Sequence, residues 1–446
     1  MLGGVNALRW SRVRSRIPQV SFWRSVGIVA GGAAFAQTLS LLAAPILTRL
    51  YSPAEFGTFA LYLSILLVLV AVGTLRYEQA IPLPEDDTDA LHVLAFGLAV
   101  ALGVSMLLGV AIALGAGDLL AETPLSALRP YLWLGPIALL VASAYQCMTH
   151  WAMRRRAFDE IAKTRIIQGI GKTTTQVALG ALGAGPLGLM LGDAVGRGGG
   201  SGSLARLAWR GSREAISAIR PSGVLRLADR YRRFAAMSTG SALLQVGAMQ
   251  VPPLLLSLSF TIEVVGWYSL AQQVVFLPIG LISYSTAQVY AGEAPRAARE
   301  GAGSLRRVFL KTAGGLALIA AVPAVLLAGL APFAFSLVFG EEWTEAGIIA
   351  QLMTPVFFFS FAVAPLTYTL NVLGALNWLL FWSCLRFAMV VAALLLVPAL
   401  GGSAEQTIIA YSAALTATYV GLFLLCLRQI GKDLPAEDVR TPREGS

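Results

Sequence analysis

The sequence predicts an all-α polytopic membrane protein with about twelve transmembrane helices, arranged as two six-helix bundles with pseudo-twofold symmetry. Hydrophobic residues make up 57% of the 446 residues and charged residues 13%, whereas soluble domains average about 45–50% and about 25%. The apolar residues form runs of about 20 residues, long enough to span a bilayer as helices. A weak internal repeat divides these runs into two halves.

Polar breaks separate the apolar runs, and the first run follows a basic leader at residues 1–25. We expect this run to be retained as the first helix, because it is longer than the apolar region of a signal peptide. The sixth run is the weakest, since it contains Asp193, Arg197 and a glycine cluster, and glycine is a poor helix former. The predicted spans are 26–48, 57–75, 89–114, 129–150, 161–181, 186–204, 234–258, 263–288, 309–338, 346–372, 376–399 and 405–427.

Arginine residues are concentrated in alternate loops, and the loops between them carry almost none. The loop at residues 340–345, GEEWTE, is acidic instead. Basic loops stay on the cytoplasmic side of a membrane, so we expect a multi-pass protein of the bacterial inner membrane with both termini cytoplasmic. The same rule accounts for the net charge of +9, and no nucleic-acid partner is predicted.

The two halves of the chain align on each other. An offset of 208 residues sets Gln37 on Gln245 and, after one inserted residue, Gly57 on Gly266. The offset equals six predicted spans, an even number, so both bundles are expected to share one orientation in the membrane. The predicted domains are a basic leader at 1–25, an N-terminal bundle at 26–204, a basic cytoplasmic linker at 205–233, a C-terminal bundle at 234–428 and a cytoplasmic tail at 429–446.

Four stretches carry a family resemblance: APILTRLYSPAEFGTFALY at 44–62, LRYEQAIPLP at 75–84, VVGWYSLAQQVVFLPIGLISYSTAQVY at 264–290 and FSLVFGEEWTEAG at 335–347. They resemble polysaccharide flippases of the Wzx type, in the superfamily that includes the lipid II flippases and the MATE drug exporters. The resemblance implies that the chain moves an undecaprenyl-pyrophosphate-linked oligosaccharide from the cytoplasmic to the periplasmic leaflet. It also implies V-shaped bundles that alternate access to a central cavity, and polysaccharide polymerase or export partners.

Charged residues within the apolar runs are the best functional leads. A charge at mid-bilayer costs about 2.5–3.5 kcal/mol and normally faces a bundle interior or a water-filled cavity. Guanidinium groups match pyrophosphate oxygens with two parallel hydrogen bonds. Structural ion pairing, lipid snorkelling and the positive-inside rule remain alternatives for each residue. The candidates for a basic cavity are Arg24, Arg76, Arg165, Lys172 and Arg386, of which Arg165 and Arg386 coincide in a second repeat alignment.

Polar and acidic residues add further candidates. Gln37 and Gln245 can hydrogen-bond sugar hydroxyls or bond across helices, and the sequence leaves both readings open. Asp193 and Glu78 are candidates for coupling transport to protons or sodium ions, although Asp193 can also simply neutralise Arg197 one helical turn away.

Other function classes are disfavoured. The two histidines and three cysteines lack metal-binding spacing, so neither a metal site nor a bound cofactor is predicted. A phosphate-binding glycine–lysine loop is absent from the sequence, and the outer loops are too short for a catalytic domain, so an enzyme is not expected. The remaining alternative is a MATE-like small-molecule antiporter, which would favour acidic rather than basic residues in its core.

Overall fold

The computed structural model describes residues 19–210 and 219–433, and every regular element in these two ranges is helical. The predicted leader and tail fall largely outside the described residues, as does part of the predicted linker. The α-helices are α1 Gln19–Leu50, α2 Pro53–Val72, α3 Asp87–Ala111, α4 Leu134–Arg154, α5 Phe158–Ala181, α6 Pro186–Gly198, α7 Ser201–Arg210, α8 Pro221–Ser259, α9 Ile262–Glu300, α10 Ala302–Phe339, α11 Thr344–Leu352, α12 Thr354–Val363, α13 Tyr368–Val372, α14 Leu376–Ala399 and α15 Ala404–Asp433.

The chain is an integral, multi-pass membrane protein. Within the described ranges, eight helices are long and apolar enough to cross a membrane, or nine if the bent pair Pro124–Tyr131 and Leu134–Arg154 forms one span. Each predicted apolar run coincides with a helix or a broken helix. The sixth run divides into α6 and α7 at Gly200, whose φ of +79° favours glycine. The total of twelve spans stays a prediction.

Small residues bring the helices of the N-terminal half together. Helix α5 packs against α1 on one side and α6 on the other. A Cβ atom at Gly32 would lie 2.9 Å from the carbonyl oxygen of Ala162, and one at Gly169 would lie 2.9 Å from the Cα atom of Ala36. Such close backbone approach is typical of helix packing in membranes, where dispersion replaces the hydrophobic effect as the attraction between helices.

Aromatic residues fill the core of the C-terminal half, where α10 packs on α11 and α12, and α14 packs on α15. Phe335, Phe357 and Phe361 are almost fully buried there. Helices α8 and α9 have 39 residues each. At about 1.5 Å per residue they are about 58 Å long, roughly twice the hydrocarbon thickness, so their ends project beyond the apolar core.

Candidate functional site between the two bundles

The turn between α1 and α2 is built by a local capping motif. Ser52 precedes the helix and its hydroxyl accepts a hydrogen bond from the backbone N–H of Glu55. The Glu55 carboxylate accepts one from the Ser52 N–H at 2.7 Å, which completes a capping box. Pro53 occupies the first turn, where its missing N–H costs nothing. Residues in this stretch therefore stop one helix and start the next.

The same turn joins the N-terminal half to the C-terminal half. The indole Nε1 of Trp343 donates to the carbonyl oxygen of Thr48 at 3.0 Å, and its ring meets the ring of Phe56 edge to face at 4.9 Å. Trp343 is fully buried. The GEEWTE loop thus inserts its tryptophan between the halves on the predicted periplasmic side.

Two glycines permit a close approach between the backbones of the two halves. Helices α2 and α9 cross where Gly57 faces the backbone of Ile262 and Gly266 faces the backbone of Pro53. A Cβ atom at Gly266 would lie 2.8 Å from the carbonyl carbon of Pro53 and closer to its oxygen. The two residues aligned by the sequence repeat therefore form one symmetric contact, and the halves are closed against each other at this end.

A second contact between the halves lies at the opposite end, where the start of α8 meets α3 and the turn before it. The Tyr77 hydroxyl donates to the carbonyl oxygen of Ala228 at 2.9 Å, and Arg226 pairs with Asp89 at 3.2 Å. The backbone N–H of Arg220 also donates to a buried histidine of α3. Residues that the sequence analysis placed in the linker therefore brace α3.

Arg386 stacks on an aromatic ring of its own helix. Its guanidinium carbon lies 4.8 Å from the ring centre of Trp382, one turn earlier. That indole is fixed because its Nε1 donates to the carbonyl oxygen of Thr418 at 2.8 Å. Arg386 has no carboxylate within 4.0 Å among the described residues. A guanidinium that stacks by its face leaves its N–H edge free to bind an anion.

Arg165, the repeat partner of Arg386, is placed in a similar way. Its guanidinium lies 5.7 Å from the ring centre of Tyr145 on α4, and the Tyr145 hydroxyl is hydrogen-bonded to Thr164 at 2.8 Å. The Arg165 side chain is exposed and forms no ion pair in the described ranges. Each half therefore contributes a stacked arginine without a carboxylate partner in the described ranges. A third arginine, Arg230 near the start of α8, lies 5.7 Å from the ring centre of the adjacent Tyr231.

Lys172 is paired rather than free. Its Nζ lies 3.7 Å from Asp193 Oδ1 on the neighbouring helix α6. Asp193 also accepts a 2.5 Å hydrogen bond from Nε of Arg197, one turn along the same helix. The structural pairing considered for Asp193 in the sequence is thus present, with a lysine added.

Arg76 and Glu78 form a compact turn at the end of α2. Leu75 and Arg76 have positive φ values of 49° and 62°, which cost energy for residues other than glycine. The Glu78 side chain is fully buried, accepts a hydrogen bond from Thr74 and pairs with Arg76 at 3.4 Å. These two charges compensate each other within one turn.

The remaining candidates are Gln37, Gln245 and Arg24. Both glutamine side chains are exposed on the first helix of their half, and neither has a hydrogen-bond partner in the described part of the chain. Bonding across helices therefore has no contact to support it there. The backbone of Arg24 belongs to α1, whereas its side chain lies outside the described residues.

Sequence reasoning missed the aromatic partners. Trp382 precedes Arg386 by four residues, the spacing at which side chains meet on a helix, so this pair carried a readable signal. Trp343 was noted only as part of a loop motif, because its partner Thr48 is 295 residues away in the sequence. No local pattern predicts a contact of that range.

Comparison with known proteins identifies the family. The sequence matches the family model described as "Polysaccharide biosynthesis protein" over residues 46–348. The chain belongs to this polysaccharide biosynthesis family. The matched range includes the capping turn, Lys172, Asp193 and Trp343, and it ends before Arg386. A comparison with curated protein sequences finds no match.

Solved structures show that this polysaccharide biosynthesis protein has the fold of a known transporter superfamily. The lipid II flippase MurJ, in an inward closed conformation, has a TM-score of 0.69 at 11% identity, covering 92% of this chain and 87% of the flippase. An inward-facing MATE multidrug transporter has a TM-score of 0.57 at 14% identity, covering 91% and 98%. A MOP superfamily transporter from Pyrococcus furiosus has a TM-score of 0.53 at 11% identity, covering 92% and 96%.

These findings confirm the resemblance noted in the sequence and the all-α polytopic fold class. The family is one of polysaccharide biosynthesis, and the fold is that of membrane transporters and flippases. The substrate and the roles of individual residues are not given by the comparisons, because structural likeness at 11–14% identity establishes only the fold.

Proposed function

We propose that this protein moves an undecaprenyl-pyrophosphate-linked oligosaccharide from the cytoplasmic to the periplasmic leaflet of a bacterial inner membrane. The observation that carries the proposal is the pair of stacked arginines, Arg165 in one half and Arg386 in the other, each without a carboxylate partner in the described residues. A guanidinium without a partner is costly where it lies within the bilayer, and a pyrophosphate offers negative charge and pairs of oxygens that would compensate it.

Alternating access would follow from the contacts between the halves. In the present arrangement, Trp343 and the Gly57–Gly266 crossing hold the predicted periplasmic side closed. The head group would be released on that side once the Trp343–Thr48 hydrogen bond opens and α2 separates from α9. The amides of Gln37 and Gln245, which are exposed on the first helix of each half, would bind sugar hydroxyls.

The family supports a polysaccharide pathway, so we expect the flipped lipid to be handed to a polymerase or export complex, with both termini of this chain cytoplasmic. A coupling proton or sodium ion is a further proposal. The second candidate function is a MATE-like antiporter, favoured only by the MATE transporters among the structural neighbours.

The test compares lipid-linked oligosaccharide in a deletion strain complemented with wild type, Arg386→Ala or Arg428→Ala. Arg428 is the matched control, because it is an exposed arginine of the same half near the end of α15. A charge-assisted hydrogen bond contributes about 1.5–3 kcal/mol, so we expect Arg386→Ala to slow transport roughly 10- to 150-fold. Glycolipid should then accumulate on the cytoplasmic leaflet.

If Arg386→Ala clears the glycolipid as well as Arg428→Ala does, the argument from the stacked arginines is wrong. If the deletion strain accumulates no glycolipid and contains no second flippase, the cargo is different and the antiporter becomes the better explanation.

A further inference from the structure

The start of α8 has no side-chain cap of its own. In a capping box, a Glu or Gln at the third helical position reaches back to the backbone N–H of the residue that precedes the helix. Here the preceding residue is Arg220, and the third helical position is Gly223, which has no side chain. The helix itself therefore offers no side chain to accept a hydrogen bond from the Arg220 N–H.

His92 of α3 supplies this acceptor from the other half of the protein. Its Nε2 atom accepts a hydrogen bond from the backbone N–H of Arg220 at 3.2 Å. A Cβ atom at Gly223 would lie 2.6 Å from the same nitrogen, so a side chain at this position would displace the imidazole. An imidazole 128 residues away in the sequence thus takes the place of the side chain that α8 lacks.

This hydrogen bond requires a neutral imidazole. A ring nitrogen that accepts a hydrogen bond carries no proton, so the single N–H of His92 is on Nδ1. The residue is 5% exposed, and Nδ1 is buried without a partner in the described ranges. A proton on Nε2 would make that nitrogen a donor facing the Arg220 N–H. It would also place a positive charge at the positive end of the α8 dipole.

His92 has no carboxylate partner to compensate a positive charge, because it forms no ion pair among the described residues. The titratable groups on α3 and on the elements packed against it already have other partners or carry no negative charge. They are Asp86, which caps α3; Asp87, paired with Arg154 and Arg155 of α4; Asp89, paired with Arg226 of α8; Glu78 of the preceding turn, paired with Arg76; Tyr77, bonded to Ala228; Asp229, paired with Arg232; His150 of α4, bonded within its own helix; and the buried thiol of Cys147.

We infer that His92 is a pH-sensitive switch on the contact between α3 and α8. The neutral imidazole caps α8 and holds its start against α3. When Nε2 takes up a proton from water, the acceptor is lost and an uncompensated charge lies in a buried site. The start of α8 then separates from α3 and the imidazolium becomes hydrated, while loss of the proton restores the contact. This inference goes beyond the proposed function, because the switch acts on the conformation whatever the cargo is.

The experiment measures the separation of α3 and α8 by pulsed electron resonance, on the purified full chain in lipid nanodiscs. Nitroxides replace the exposed residues Leu83 and Leu225 in a Cys384→Ala background. An imidazole in water titrates near about pH 6.5, and the closed contact excludes the second proton. The ratio of open to closed populations should therefore rise about 10-fold from about pH 8 to about pH 5.5.

Three variants distinguish His92 from other titratable groups. His92→Gln keeps a side-chain oxygen that can accept from the Arg220 N–H but takes up no proton, so the contact should stay closed at both pH values. His150→Gln removes the other histidine of the chain and should keep the 10-fold response. Asp89→Asn removes the partner of Arg226 and should also keep this response. Thermal melting shows whether each variant is folded.

Gly223→Ala tests the same contact from α8 if His92→Gln does not fold. Its added Cβ atom would displace the imidazole from the Arg220 N–H, so the open population at about pH 8 should rise and the response to pH should shrink.

Three outcomes overturn the inference. One is a wild-type distance distribution that is the same at both pH values. Another is a His92→Gln variant, or in its place Gly223→Ala, that responds to pH as the wild type does. The third is a response that Asp89→Asn abolishes and His92→Gln retains, which would assign the pH dependence to the ion pair.

Discussion

The crossing of α2 and α9 provides the sharpest test of how the protein closes. Gly57→Ala adds a carbon 3.0 Å from the carbonyl carbon of Ile262 and closer still to its oxygen, whereas ordinary van der Waals contact begins at 3.4 Å. The clash is with backbone, which cannot rotate away. Overpacking of this kind costs about 1–3 kcal/mol, and the closed population should fall roughly 5- to 150-fold relative to the open one. Gly266→Ala should act in the same direction.

Spin labels can measure this shift. Arg49 and Glu342 are exposed neighbours of the contacting residues Thr48 and Trp343. Nitroxides at these two positions, in a Cys384→Ala background, report the separation of the halves by pulsed electron resonance. Cys384 is replaced because it is the exposed cysteine, while the other two are buried.

The control is Gly315→Ala on α10, where an added Cβ atom meets nothing within 4 Å. We expect the longer interspin distance to gain population in Gly57→Ala and Gly266→Ala, and not in the control. Unchanged distance distributions in both crossing variants, with normal melting temperatures, would refute the role of this contact in closure.

Three further predictions follow from single contacts. Trp343→Phe removes the hydrogen bond to the Thr48 carbonyl but keeps an aromatic ring. The same spin labels should therefore report a shift of about 0.5–1.5 kcal/mol towards the open state. No shift would mean that the hydrogen bond is dispensable. Ser52→Ala removes the helix cap and should destabilise the protein by about 1 kcal/mol, seen as a lower melting temperature, with Ser52→Asp retaining the wild-type value. Trp382→Leu removes the aromatic ring that stacks on Arg386. It should slow glycolipid transport by about 2- to 30-fold, which is less than the effect of Arg386→Ala. An effect as large as that of Arg386→Ala would mean that the ring has a separate role.

Local sequence patterns were sufficient for the class of fold, but they did not fix every helix end. The excess of apolar residues, arranged in runs of about 20, predicted a polytopic helical protein. In lipid, a helix satisfies the backbone hydrogen bonds within its own segment. The second span was predicted to begin at residue 57, whereas α2 begins at Pro53 because Ser52 and Glu55 form a capping box there. The sixth span was predicted as one weak helix over 186–204, whereas the structure divides it into α6 and α7 at Gly200.

Sequence alone found the candidate charges and the Asp193–Arg197 pair, but it did not find the partners of Arg386 and Lys172. Arg386 and Lys172 were equivalent as charges in apolar runs, and only the tertiary structure stacks one on Trp382 and pairs the other with Asp193. In the sequence Trp343 was only one residue of the GEEWTE motif, and its contact with Thr48 is visible only in the folded structure. Composition and short-range spacing act along the chain, so the sequence by itself determined that this protein is helical and spans a membrane. Which charges are neutralised and where the halves close depend on contacts between distant helices, which only the packed structure decides.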